Sequence, residues 1–266
     1  MAHKLVIIAV IGLAAAAVCI GAAAAIGGKD FGNGLEDFSW FDGKPRCEAV
    51  ANATATIRDM DWDDSDKFGL AINTHASYRP GTDNRLHVTG DPQLLAHLRL
   101  RSGTLEMNCR GWRSRTHDLA VILPGREFRR FAIYGGGSLT LDALDQADTN
   151  IEIDGAGDIK ANGRADDLKA TINGSGRIDF DQLQSRQATA EIHGSGTIQA
   201  KGKIDDLHIG IAGSGRADFG QVETRNARVE IGGHGDVDIA PSDEARVDIG
   251  GSGDVTLHSN PKSLET

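Results

Sequence analysis

The chain has 266 residues, 34 of them glycine, with only 5% aromatic side chains and a formal net charge of −10 at pH 7. A negative balance of that size argues against a nucleic-acid partner, because binding phosphates calls for a basic surface. So few rings argue against a compact aromatic core and favour a fold that stacks aliphatic layers.

Lys4 and the free amine precede Leu5–Ile26, an uncharged stretch that is strongly apolar up to Leu13 and alanine-rich afterwards. This pattern reads as a secretory signal peptide with small-residue cleavage sites in Ala22–Ala25. Its length also allows an uncleaved membrane anchor, and in both cases the acidic remainder is exported. Residues 27–45 form a Gly-rich, acidic linker carrying Phe31, Phe38, Trp40 and Phe41, read as a cap over the open start of the fold that follows.

Residues 46–134 are β-rich but irregular. Apolar alternation marks strands over Phe68–Ala76 and Leu86–Val88, and apolar runs mark Leu105–Cys109 and Leu119–Leu123. Asp91-Pro92 opens a short helical turn, with Asp as N-cap and Pro at the first helical position. Cys47 and Cys109 are the two cysteines of the exported part, and an even pair in an oxidising compartment predicts one disulfide. Arg110, Arg113 and Arg115 around Trp112 read as a solvated loop, with contact to an anionic surface as the alternative.

From residue 135 to 266 the chain repeats itself. G-x-G turns recur at Gly155/Gly157, Gly174/Gly176, Gly194/Gly196, Gly213/Gly215, Gly233/Gly235 and Gly251/Gly253, with Gly135–Gly137 one step upstream. The period near 20 residues is that of a solenoid. Two residues before each turn stands isoleucine: Ile153, Ile172, Ile192, Ile211, Ile231 and Ile249. Hairpins would reverse direction in each unit and scatter this column. A parallel coil stacks it, with rungs about 4.8 Å apart. The column six residues after the first glycine alternates small and large over Ala161, Phe180, Ala200 and Phe219, which implies a superperiod of two rungs. The glycines are read as corners that need φ > 0.

The segments LHVTGDPQLLAHLRLRSGTLEMNC (86–109) and DLAVILPGREFRRFAIYGGGSLTL (118–141), followed by the G-S-G-D-[IV] turns, resemble the bacterial family of auto-transporter adhesin head GIN domains. The resemblance covers about residues 47–257. It implies an all-β, right-handed parallel β-helix on the exported side of a bacterial envelope, and the Leu5–Ile26 segment puts that in the periplasm if cleaved or on an inner-membrane tether if not. It brings no catalytic residues and no cofactor.

The residues themselves show no zinc spacing, serine elbow, phosphate loop or HExxH motif. The calcium-binding nonapeptide repeat is rejected, because Asp236 follows Gly235 one place early and the period is twice too long. Outward columns pair Asp158 with Arg177 and Lys160 with Asp179 as ordinary surface ladders. Asp236, Asp238 and Asp254, with Asp218 nearby, form a denser acidic patch. They are the weak candidates for a metal, or for the carboxylates of a polysaccharide lyase or hydrolase. The reading favoured by the sequence is a non-enzymatic, structural or adhesive rod that binds glycan or protein surfaces. An envelope scaffold tethered through residues 5–26 is the alternative, and self-association through edge strands is open.

Overall fold

The computed structural model describes residues 44–63, 65–111 and 118–266. The signal or anchor reading of residues 1–26, the cap of residues 27–45 up to residue 43 with all its aromatic side chains, and the Trp112/Arg113/Arg115 cluster lie outside them. Among the described residues no helix is long and apolar enough to cross a membrane.

Residues 45–266 form a parallel β-solenoid of about seven turns. The regular coils are β9 (Ser138–Gly155), β10 (Asp158–Gly174), β11 (Arg177–Gly194), β12 (Thr197–Gly213), β13 (Arg216–Ile231) and β14 (Asp236–Ile249). Each pairs in parallel with the next. The isoleucine column stacks in register from Ile153 through Ile172, Ile192, Ile211 and Ile231 to Ile249. All but the last are essentially inaccessible to solvent. Each such side chain contributes about 1.5–3 kcal/mol by burial, and the same contact recurs at every step.

Two different constraints make the corner glycines. Gly155, Gly174, Gly194 and Gly213 have φ between +132° and +142°. A Cβ on Gly174 would also stand 2.3 Å from the carbonyl oxygen of Gly155 in the preceding coil. The expectation of φ > 0 at both members of every pair fails at the second glycines. Gly157, Gly176, Gly196, Gly215, Gly235 and Gly253 are not among the positive-φ residues. It fails too at Gly233 and Gly251, the first glycines of the last two corners. There only the close approach remains, with a Cβ 2.3 Å from the Gly213 carbonyl oxygen at Gly233 and 2.1 Å from that of Gly233 at Gly251. The second glycines are required by packing instead. A Cβ on Gly157, Gly176, Gly196, Gly215, Gly235 or Gly253 would lie 2.5–2.8 Å from Cγ2 of Ile133, Ile153, Ile172, Ile192, Ile211 or Ile231 respectively. The isoleucine column, with Ile133 one coil earlier, occupies the space a side chain would need. The middle residues donate their amides to the glycine carbonyl one coil back, as Ser175 does to Gly155 and Ser195 to Gly174.

Coils of 20 and 19 residues alternate because every second coil holds a β-bulge. The bulged residues Ala143 and Gln182 have φ of 55° and 57°, and their neighbours in the intervening coils are Gly163 and Gly202. A bulge inserts one residue without disturbing the pairing on either side. The large-small alternation inside follows the same rhythm, with Ala161 against Phe180 and Phe180 against Ala200.

The amino-terminal end is built differently. β2 (Lys67–Leu70) and β3 (His75–Tyr78) form a coil under β8 (Arg130–Gly135) and β9. The alternation over Phe68–Ala76 is thus two strands bent at a corner, not one. The corner holds through Thr74, which is buried and donates its hydroxyl to the Leu119 carbonyl. Outboard of this coil lie β6 (Thr104–Met107) and β7 (Ala120–Ile122), parallel to β2 and β3 although later in the chain. Then direction reverses: β5 (Leu98–Arg101) runs antiparallel to β6, β4 (Arg85–Thr89) to β7, and β1 (Ile57–Asp61) to β4. Short antiparallel strands end the stack and close its edge. The helical turn α1 (Pro92–Ala96) has Asp91 as N-cap, accepting from the amides of Gln93 and Leu94, and tucks in Leu94 and Leu95. Trp62, Phe68, Tyr78, Phe128 and Phe131 pack edge-on and tilted with centroids 5.1–6.2 Å apart.

At the other end β15 (Asp254–Leu257) and β16 (Ser263–Glu265) both pair with β14. The tail covers this end on one side only. Leu264 lies against Ala245, which is buried, but Ile249 stays 41% exposed because β16 stops before reaching it.

Candidate ligand-binding groove

In a strand, residues two apart point to the same face, so stacked coils carry parallel rows of outward side chains. Two such rows flank a groove of about 610 Å³ on the face that follows the glycine corners. The inner row is Thr140, Lys160, Asp179, Gln199 and Asp218, five residues past each first glycine. The outer row is Asp142, Asn162, Asp181, Lys201 and Gln221. The floor is the strand segment at Ala161, Phe180 and Ala200, whose side chains turn into the core.

The bulges shape this groove. They fall beside the outer row in every second coil, and groove side chains satisfy the amides they free. Asn162 Oδ1 accepts from the Ala143 amide at 2.8 Å while its Nδ2 donates to Asp142 Oδ1 at 3.1 Å. Asp218 Oδ1 accepts from the Gly220 amide at 3.3 Å. Chemistry alternates with the bulges. Bulged coils bring the carboxylates Asp142, Asp179, Asp181 and Asp218, and the coils between bring Lys160, Asn162, Gln199 and Lys201. Asp179 Oδ1 is buried without a hydrogen-bond partner. A carboxylate oxygen left in that state is costly unless a donor reaches it.

A second basin of about 690 Å³ opens on the bulge side, with Arg164, Arg186 and Lys203 beside Asp166, Asp205 and Glu223. Its charges cancel in pairs: Arg164 to Asp166 at 2.8 Å, and Arg225 to Asp205 at 3.0 Å. A third trough combines cavities of about 290 and 430 Å³ that share Gln187 and Thr189. Nearby, Lys169 pairs with Glu191 at 2.9 Å and Arg228 with Glu230 at 2.6 Å. Arg228 and that hydrogen bond hold the Glu230 carboxyl below its ordinary pKa.

The residues singled out in the sequence fall elsewhere. Asp236, Asp238 and Asp254 sit on coils near the carboxyl-terminal end, but they do not converge. Arg216 reaches Asp238 at 2.5 Å and Asp236 at 3.9 Å, and His258 lies 3.0 Å from Asp238 on its other oxygen. Asp254 stacks on Asp236 one coil further on. Among the described residues no three His, Cys, Asp or Glu side chains are grouped to hold a metal ion. Cys47 and Cys109 are joined by a disulfide with Cα atoms 4.9 Å apart, next to a bridge between Arg46 and Arg110. Column reading found the inner row of the groove as an ion ladder but passed over the outer row. The outer row's signal is the alternation of Asp142, Asn162, Asp181 and Lys201 seven residues past the first glycines.

Comparison with known proteins adds a family. The model of the family described as "Putative auto-transporter adhesin, head GIN domain" matches residues 67–261, well over half of the chain. Solved structures with this fold include a putative lipid binding protein from Parabacteroides distasonis, 18% identical with a TM-score of 0.61, covering 79% of this chain and 96% of that one. A putative adhesin from Parabacteroides merdae is 14% identical at TM-score 0.61, with 81% and 97% covered. A putative adhesin from Bacteroides fragilis is 13% identical at 0.59, with 79% and 90% covered. No curated protein matches the sequence. The chain belongs to the head GIN domain family.

Proposed function

We propose that this head GIN domain protein works outside the cytoplasm as a rigid, non-catalytic binding rod whose grooved faces engage glycan or protein surfaces of the cell envelope. The observation that carries the reading is the groove between the Thr140–Asp218 and Asp142–Gln221 rows. It sets mixed donors and acceptors at a fixed pitch on a backbone whose hydrogen bonds are already used between coils. Such a surface binds by many weak contacts in series. Export is supported by the uncharged Leu5–Ile26 segment and by the Cys47–Cys109 disulfide, a bond at home in oxidising compartments. A non-catalytic role is supported by Arg216, which pairs with Asp238 and Asp236, and by His258, which lies against the other oxygen of Asp238.

The test is retention of the exported protein on purified envelope glycan and on washed cells, together with the amino-terminal sequence of the recovered chain. Saturable retention on either material upholds the reading. Retention on neither, with the protein folded, overturns it. A recovered chain beginning at Met1 favours the tethered scaffold over a free adhesin.

A further inference from the structure

We propose that the groove between the Thr140–Asp218 and Asp142–Gln221 rows binds a linear polysaccharide lying along the solenoid axis, with one disaccharide spanning two coils. The proposal rests on the binding reading above and gives it a ligand class and a register.

Periodicity is the first argument. Coils follow one another at about 4.8 Å, but the chemistry of the groove repeats only every second coil. Carboxylates stand on the coils of Asp142, of Asp179 and Asp181, and of Asp218. Amides and ammonium groups stand on the coils of Lys160 and Asn162, and of Gln199 and Lys201. Two coils advance about 9.6 Å, close to the length of one extended disaccharide. A polymer with that repeat meets one carboxylate-bearing coil and one lysine-bearing coil at every step, with Thr140 and Gln221 adding neutral groups on the two outer carboxylate coils. A chain with a one-coil repeat would meet acceptors and donors in turn at each identical unit.

Hydrogen-bonding capacity is the second argument. Hydroxyl groups both donate and accept, which matches rows that alternate between acceptor-only carboxylates and donors. Asp179 lines the groove with one carboxylate oxygen lacking any hydrogen-bond partner, and its carboxylate offers an acceptor to a sugar hydroxyl. A peptide strand has no edge to pair with on this face, because the coils on both sides already use the backbone. Charge is the third argument. Four carboxylates against two lysines leave the groove acidic, which repels polyanions and accepts neutral or amino sugars.

The experiment is a titration of the exported protein with linear neutral and amino-sugar oligosaccharides of even length, from disaccharide to octasaccharide, with heparin as the polyanion. At least one series is expected to tighten about tenfold from disaccharide to tetrasaccharide and again to hexasaccharide, as contacts add along the groove. It then levels off, because the groove holds five coils, and heparin does not bind. Gln199→Trp, which fills the middle of the groove, is expected to abolish binding. His193→Trp, exposed just before a glycine corner and outside all three cavities, leaves binding unchanged and reports on folding, and Asp179→Asn weakens it about tenfold without adding bulk. No series with a length step, or a step that survives Gln199→Trp, overturns the proposal. If the protein is still retained on envelope material, the broader binding reading stands without it. If retention fails too, both fall.

Discussion

The two ends of the solenoid's construction obey different rules. In the coils from β9 to β14, inward columns stack apolar on apolar, and Ile172 sees Ile153 below and Ile192 above. Stability there is a sum of nearest-neighbour terms. The amino-terminal end has no such repetition. Trp62, Tyr78 and the pair Phe128 and Phe131 come from three separate segments and meet only once. A jigsaw of that kind is specific but has no redundancy. The coils can lose one contact and keep the rest, whereas the end stands or falls together.

The sharpest way to break the contrast is Phe128→Ala. Phe128 is fully buried and touches Trp62, Tyr78 and Phe131. The truncation is expected to cost about 3–5 kcal/mol. Hydrogen exchange should show amides of β1 to β7 opening together while β11 to β13 remain protected. Reduction of Cys47–Cys109 acts on the same end. It frees a loop whose ends are 62 residues apart, worth about 4 kcal/mol in the chain-entropy model. A reduced sample should melt first in the amino-terminal strands, and two thiols titrating in the unfolded, unreduced protein would sink that expectation.

A pair of glycine substitutions sharpens the other half. Gly194→Ala places a Cβ 2.4 Å from the Gly174 carbonyl oxygen at a φ of +132°, and is expected to cost about 2–4 kcal/mol. Gly210→Ala, where a Cβ meets nothing within 4 Å, should be neutral or stabilise by up to about 1 kcal/mol through the unfolded chain. Chemical denaturation of the two variants side by side checks this. Equal losses would mean that the corners are held by something other than backbone contact between coils.

What could be read in the sequence divides along the same line. The isoleucine column, the corner spacing and the alternation of Ala161 with Phe180 are periodic, and periodicity survives without coordinates. The spacing does not say why each corner glycine is there. Gly194 answers to its φ and Gly196 to the Ile172 side chain, and only the stacked coils separate the two causes. The outboard position of β6 and β7 is not periodic at all, since it depends on a non-local pairing of Leu70 with Leu105. No local pattern announces that the chain returns to stack beneath its own first coil. The groove was half legible. Its inner row is a regular column. Its outer row follows bulges at Ala143 and Gln182, single residues in a left-handed conformation that neither side chain advertises. The acidic residues Asp236, Asp238 and Asp254 were legible as a patch, but Arg216 reaches two of them from the neighbouring coil, a partnership that column counting sets aside.

The smallest expected effect concerns pH and again separates the two regions. His87 on β4 lies 2.8 Å from Asp59 on β1 and 2.6 Å from Asp83. Its pKa is raised above the ordinary value, chiefly by the hydrogen bond to Asp83 and then by that to Asp59. The bond to His87, followed by the Arg85 amide, lowers Asp83 in turn. The histidine's contribution is fully present below about 6.5, the unperturbed value, and is lost as pH rises through the raised one. That of Asp83 is present above about 3.9 and lost as pH falls through its lowered value. The clasp between β1 and β4 is therefore tightest between those limits. Raising the pH from mildly acidic to mildly basic should speed exchange of the β1 and β4 amides, after correction for intrinsic rates, and leave β12 unchanged. His87→Asn should flatten that profile. A pH response shared equally by β12 would place its cause in the coils and remove His87 from the account.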